Sequence, residues 1–238
     1  MGSRYAGFQV QENANSIQAE VEKALKVFYK QSFVLTGSSR TDAGVHANQN
    51  FFHTDSEHHL QTADMYHLNA ILPPDIVIKD ICIVSPDAHC RFNATSRHYA
   101  YHIYDSKDPF LSDRAYYYPY KLNVENLQEA AILLMAYDDF TTFSKRNTQV
   151  NNFICKIYES YWEVSGKTLV YNVRANRFLR GMVRGLVGTM LKVGTGRKSI
   201  TDLQFIIEQK DCTLADFSAP AHGLFLQSVA FNDQIKHK

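Results

Sequence analysis

The stretch GSSRTDAGVHA, Gly37 to Ala47, holds an arginine, a threonine and an aspartate in a run with almost no apolar content. Small residues flank Arg40 and Asp42, so the backbone there can turn sharply and come close to a ligand. Two residues apart, a guanidinium and a carboxylate could project together into a cleft. An ordinary solvated turn with an i,i+2 charge pair, worth little, has the same pattern.

A second candidate is basic. From Tyr171 to Thr201 there is no acidic residue, while Arg174, Arg177, Arg180, Arg184, Lys192, Arg197 and Lys198 supply positive charge. Read as one helix, RFLRGMVRGLVGTMLKVG places Arg177, Arg180 and Arg184 along one flank and buries Leu179, Val183, Leu186, Val187 and Met190. Gly181, Gly185 and Gly188 each cost such a helix roughly 1 kcal/mol against alanine. Close approach of another backbone, protein or nucleic acid, would explain them. A phosphate-binding surface is the preferred reading over a solvated helix face.

The third is CRFNATSRHYAYHIY, where Arg91, Arg97 and His98 interleave with Phe92, Tyr99 and Tyr101. Rings beside cations suit stacking on an extruded base, although a tyrosine-rich strand is more often core. GTGRKS, Gly194 to Ser199, lacks the spacing of a nucleotide-hydrolysing phosphate loop and follows a helix instead of opening one. No G-x-S-x-G supports a serine hydrolase.

The elements that must carry these residues follow from periodicity. Ser16 to Lys30 reads as an amphipathic helix, with Asn15 as its N-cap and Ile17, Val21, Ala24, Leu25 and Phe28 on one face. FVLTG, VHANQNFFHT, IVIKDICIV, RHYAYHIYD and AYYYPY read as strands, and LQTADMYHLNAIL as a helix stopped by Pro73 and Pro74. A second cycle follows. It has a helix at NVENLQEAAILLMA, with Val124, Leu127, Ala131, Leu134 and Met135 at helical spacing, and two strands around Gly166. The basic helix comes next, then a helix at ITDLQFIIEQ and a closing strand at GLFLQSVAF. The expected fold is α+β, a mainly antiparallel sheet with packed helices. Two similar half-domains, 1–118 and 119–238, would share it around a cleft.

Composition sets outer bounds. The 238 residues include 14 Tyr and 15 Phe, which argues against disorder. With 25 basic and 24 acidic side chains, any polyanion site must come from local clustering. No apolar run approaches the ~18 residues of a membrane span, and the start lacks a signal-peptide core. Cys82, Cys90, Cys155 and Cys212 are scattered, as reduced thiols of a cytoplasmic protein would be. The two histidines at 58 and 59 lack metal-ligand spacing.

In this order, SRTDAGVHA, RFNATSRHYAYHIY and ANRFLRGMVRGLVGTMLKVG resemble the motifs of the TruA family of tRNA pseudouridine synthases. SRYAGFQVQENANSIQ is similar to the family's N-terminal turn and first helix, and DFTTFS and GLFLQSV fill matching places. The resemblance implies isomerisation of uridine to pseudouridine at positions 38 to 40 of the tRNA anticodon arm, by a homodimer without metal or organic cofactor. Neither DNA nor a membrane is expected as a partner. It makes Asp42 the nucleophile, Arg40 a residue that helps extract the uridine, Tyr99 the ring that stacks on the target base, and Arg184 the partner of the catalytic carboxylate. Arg177, Arg180, Arg197 and Lys198 form the expected RNA-binding patch. A carboxylate can attack or stabilise sugar and base and still leave, and a nearby arginine keeps it ionised.

Two departures are visible. Ser39 stands where the motif usually has glycine, and a left-handed backbone there would strain serine by about 1 kcal/mol. The family's first strand, expected just before GSRYAGFQ, is missing, which reads as a start placed too late or, failing that, an open sheet edge. A tRNA-binding module without turnover, or a synthase acting on another RNA, are the competing readings.

Overall fold

The computed structural model describes residues 1–146 and 150–232. They fall into two compact units: Met1–Thr95 with Val229–Lys238, of which 229–232 are described, and Ser96–Ser228.

In the first unit, helix α1 (Ile17–Tyr29) starts where the Ser16 hydroxyl accepts the Ala19 N–H. The cap is thus Ser16, one residue later than the expected Asn15. Its apolar face, Val21, Ala24 and Leu25, packs with Phe33, Leu35, Leu68 and Leu72. Leu68, on helix α2 (Met65–Ile71), is completely enclosed, a burial worth about 1.5–3 kcal/mol. The helix ends before Pro73, as a residue without an N–H requires.

The strands of this unit are shorter than their alternation suggests. They are β1 (Thr36–Gly37), β2 (His46–Ala47) and β3 (Phe52–His53), with β1 antiparallel to β3. IVIKDICIV forms no strand ladder. The Asn69 side-chain amide does the work of a neighbouring strand, donating to Ile78 O and accepting from Ile78 N at 2.9 and 2.7 Å. A two-way side-chain bond satisfies the extended backbone where a strand is missing.

The longer strands, which lie mostly in the second unit, run in the order β8 (Leu224–Phe231), β4 (Ala94–Tyr104), β7 (Thr168–Ala175), β6 (Ile157–Ser165). β4, β7 and β6 pair antiparallel, with Tyr99 opposite Val173 and Trp162 opposite Tyr171. The short β5 (Tyr116–Tyr117) lies parallel to the end of β4. On β4, Tyr99, Tyr101 and Ile103 are buried, and so is Ala100 on the other face.

Helices α3 (Val124–Leu134), α4 (Met182–Gly194) and α5 (Ile200–Glu208) complete this unit. Leu127, Ala130, Ala131 and Leu134 are the buried face of α3, whereas Val124 and Met135, expected there, are exposed. α5 opens with a capping box between Ser199 and Asp202. The Thr142 hydroxyl donates to Ile206 O near the other end of that helix. The architecture is mixed, with a mostly antiparallel sheet and packed helices, as the α+β expectation had it. Among the described residues no helix is long and apolar enough to cross a membrane.

Candidate functional site

The turn bearing Arg40 and Asp42 is held by a segment near the chain's start. Thr41 O accepts the Phe8 N–H at 3.1 Å, Gly44 N donates to Tyr5 O at 3.2 Å, and Val45 N closes the turn onto Asp42 O at 3.1 Å. These bonds fix the backbone on both sides of Asp42. The approach is close enough to exclude side chains. A Cβ on Gly7, whose φ is +106°, would lie 2.6 Å from Thr41 O, and one on Gly2 would lie 1.9 Å from Val45 O. Gly2 N also donates to His46 Nδ1 at 3.0 Å. Asp42 is partly exposed and Arg40 exposed, so a rigid turn presents side chains that solvent, or a ligand, can reach.

Ser39, just before Arg40, is buried, and its φ is not positive. The strain expected of a serine at this position is therefore absent. The Asn50 amide supports the same segment, donating to Ser39 O at 3.0 Å and accepting from the Ser38 hydroxyl at 2.8 Å.

Tyr5 is anchored at its far end. Its hydroxyl donates to Asp75 Oδ1 at 2.7 Å, while Arg4 reaches Asp75 Oδ2 through Nε at 2.8 Å. Burial works to raise the pKa of the Asp75 carboxyl, but the bonds from Tyr5 and Arg4 outweigh it and hold the group below its ordinary range. Sequence reading passed over Gly7, Tyr5 and Asp75; the signal within reach was the glycine spacing of GSRYAG.

The second unit carries the other candidates. The Tyr99 ring is buried and meets Phe178 edge-on, with centroids 5.0 Å apart at 83°. Tyr101, two residues on, is wholly enclosed and donates to Pro220 O at 2.7 Å, so this ring serves the core. Phe92 is 75% exposed with the Arg91 guanidinium 5.8 Å from its centroid.

The basic run does not form one helix. Gly181, with φ +75°, caps α4, and residues 177–180 lie outside the helix, ahead of it. Arg177 and Arg180 therefore do not share a helical flank with Arg184. The reason is a tie at Arg180, whose carbonyl accepts Lys145 N–H at 3.1 Å, so the backbone leaves the helical path there. The expected buried face, Leu179, Val183, Leu186, Val187 and Met190, is buried.

The glycines of α4 answer to close packing within the chain itself. A Cβ on Gly188 would stand 2.2 Å from Asp216 O, and one on Gly185 would stand 2.8 Å from the Phe217 ring. Segment 216–219, seated there, receives Arg184: Nε donates to Ala219 O at 2.6 Å. This leaves most of the five guanidinium N–H groups for other acceptors. Arg174 and Lys192 pair with Glu159 and Asp216. Arg180 and Arg197 are exposed, Arg177 and Lys198 partly so, and Arg197 lies 5.7 Å over the Tyr120 ring.

A polar turn offering a carboxylate, with basic and aromatic surface elsewhere in the chain, suits an enzyme acting on a nucleic acid. Comparison with known proteins narrows the class. A family model described as tRNA pseudouridine synthase matches residues 130–232. A protein of Porphyromonas gingivalis named tRNA pseudouridine synthase A is 44% identical over 98% of this chain and 95% of its own length. Proteins of the same name from Bacteroides fragilis and Staphylococcus saprophyticus are 43% and 37% identical, over 98% and 96% of this chain and 94% and 86% of their own lengths. The chain belongs to the TruA family of tRNA pseudouridine synthases. It is accordingly an isomerase acting on tRNA.

Proposed function

We propose that this protein converts uridine to pseudouridine at positions 38 to 40 of the tRNA anticodon arm, with Asp42 as nucleophile. The observation that carries this reading is the near full-length likeness to tRNA pseudouridine synthases A. The rigidly held, solvent-reaching turn around Asp42 supports it at the site.

In this reading the C1′–N1 bond of uridine breaks, the base turns, and C5 bonds to C1′ while its proton departs. Nothing is oxidised and no group is lost, so the chemistry calls for no cofactor. Asp42 attacks or stabilises the detached fragments and then leaves. The uridine must first come out of its stack, a cost of a few kcal/mol. Arg40 assists the extraction, Tyr99 offers a ring to the base, and Arg184 supplies a cation at the reaction centre. Arg177, Arg180, Arg197 and Lys198 hold tRNA phosphates, and the working form is a homodimer.

The test is tritium release from tRNA labelled at uridine C5. Asp42→Asn is expected to abolish release and to leave tRNA affinity intact. Robust release by that variant contradicts the assignment. Mapping pseudouridine in the product checks the position: modification confined to other sites, or to other RNAs, overturns the anticodon-arm reading.

A further inference from the structure

The segment that holds the Asp42 turn is bonded, through Tyr5, to a residue 33 positions beyond Asp42 in the chain. Asp75 follows Pro73 and Pro74, in a tight turn closed by the Ile76 N–H on Pro73 O at 3.0 Å. Its carboxylate takes the Tyr5 hydroxyl on one oxygen and Arg4 on the other. The two partners differ in what they can transmit. The Arg4 side chain is 65% exposed, so its ion pair is screened by solvent and orders little. Tyr5 is buried, at 5% exposure, and its hydroxyl bond to a largely covered carboxylate is short and charge-assisted.

Tyr5 also touches the turn directly, because its carbonyl accepts the Gly44 N–H. One residue thus bonds a fixed carboxylate with its side chain and the Asp42 turn with its backbone. On the same short segment, Gly7 and Phe8 seat Thr41, and Gly2 seats Val45 and His46. A shift of Tyr5 would carry the segment with it, and the turn would move.

We propose that Asp75 is a positioning residue for the reaction, acting through Tyr5 on the backbone that aims Asp42. Asp75 itself touches neither substrate nor reacting atoms. The inference rests on Asp42 being the nucleophile, as proposed above. It assigns a task to an aspartate outside the motifs and to the tyrosine between Arg4 and Ala6 that bonds it.

The experiment compares Tyr5→Phe, Asp75→Asn and the double variant in steady-state tritium release, with tRNA affinity and thermal unfolding measured alongside. Each single variant is expected to lower kcat by roughly tenfold to a hundredfold, the scale of a small misplacement of a reacting group. KM and tRNA affinity should stay within about twofold, because the RNA surface is untouched. The double variant should be no worse than the more damaging single one, since both act on one link. Tyr5→Phe removes the donor, and Asp75→Asn leaves an oxygen that accepts but removes the charge that strengthens the bond. Tyr5→Phe keeps the ring and its packing, so it decides the matter if Asp75→Asn fails to fold. Unchanged kcat in folded Tyr5→Phe overturns the inference, as do additive losses or a loss carried by KM. The two proposals fail separately: an inactive Asp42→Asn beside a fully active Tyr5→Phe sinks only this one, whereas an active Asp42→Asn sinks the reading beneath it.

Discussion

Ser39 shows how much a single atom can decide. Its hydroxyl oxygen is buried with no hydrogen-bond partner among the described residues, and an unsatisfied buried group of this kind costs about 1–3 kcal/mol. Ser39→Ala keeps the Cβ and removes the orphan. Thermal unfolding should therefore show a gain of about 1 kcal/mol, with catalytic rate unchanged. A clear loss of stability would mean that the oxygen is satisfied after all. Ser39→Gly removes the same oxygen but adds unfolded-state entropy where the backbone needs no left-handed freedom, so it should be less stable than Ser39→Ala. Motif reading flagged this position correctly as unusual but assigned the wrong cause, since a φ angle is not written in the residue type.

Helix α4 makes the same point for an element. By intrinsic propensity, Gly188→Ala should stabilise the helix by up to about 1 kcal/mol. The neighbouring Asp216 carbonyl reverses the sign: a Cβ 2.2 Å from that oxygen forces segment 216–219 away, and overpacking of this kind costs typically 1–3 kcal/mol. A drop in Tm, with weakened activity through Arg184, is the expected result. The same segment gives a pH signature. Burial would raise the Asp216 carboxyl, but Ser218 and Lys192 bond it and hold its pKa below the ordinary value. A depressed carboxyl contributes stability above its unfolded pKa, near 3.9, and loses it as pH falls through the folded value. Acid unfolding of Asp216→Asn should therefore begin from a lower stability at neutral pH and show a shallower decline below about pH 4.

The helices were legible because their apolar spacing is long and repeated, as in Val183, Leu186, Val187 and Met190. Residues 177–180 misled for the same reason, since apolar periodicity reaches back through Leu179 while the helix starts only after the left-handed Gly181, with Arg180 tied to Lys145. Within IVIKDICIV, expected as a strand, Ile78 bonds the side-chain amide of Asn69, 9 residues away, instead of a partner strand. Such side-chain substitutes leave no pattern in a window of apolar residues. Of the candidate site, Asp42 and Arg40 stood out by composition, but Tyr5 and Asp75 did not. Their role comes from a contact across 70 residues of chain.

For the molecule as a whole, a net charge of +1 leaves no general attraction to a polyanion, so tRNA must be held by a few local cations. Arg180→Ala and Arg197→Ala should each weaken tRNA binding and flatten the plot of log affinity against log salt by about one unit. Filter binding across a salt series measures this; an unchanged slope removes that arginine from the RNA surface. Arg180 precedes α4 and Arg197 follows it, so a 13-residue helix separates them and their effects should add.

The strand order has a consequence for biosynthesis. β4 is made early and β8 last, yet they are neighbours. Until the ribosome has released nearly the entire polypeptide, the Tyr-rich flank of β4 stays uncapped and open to pairing with any passing strand. A nascent chain stalled before Leu224 would therefore be a sticky one, and truncations there should accumulate as inclusion bodies.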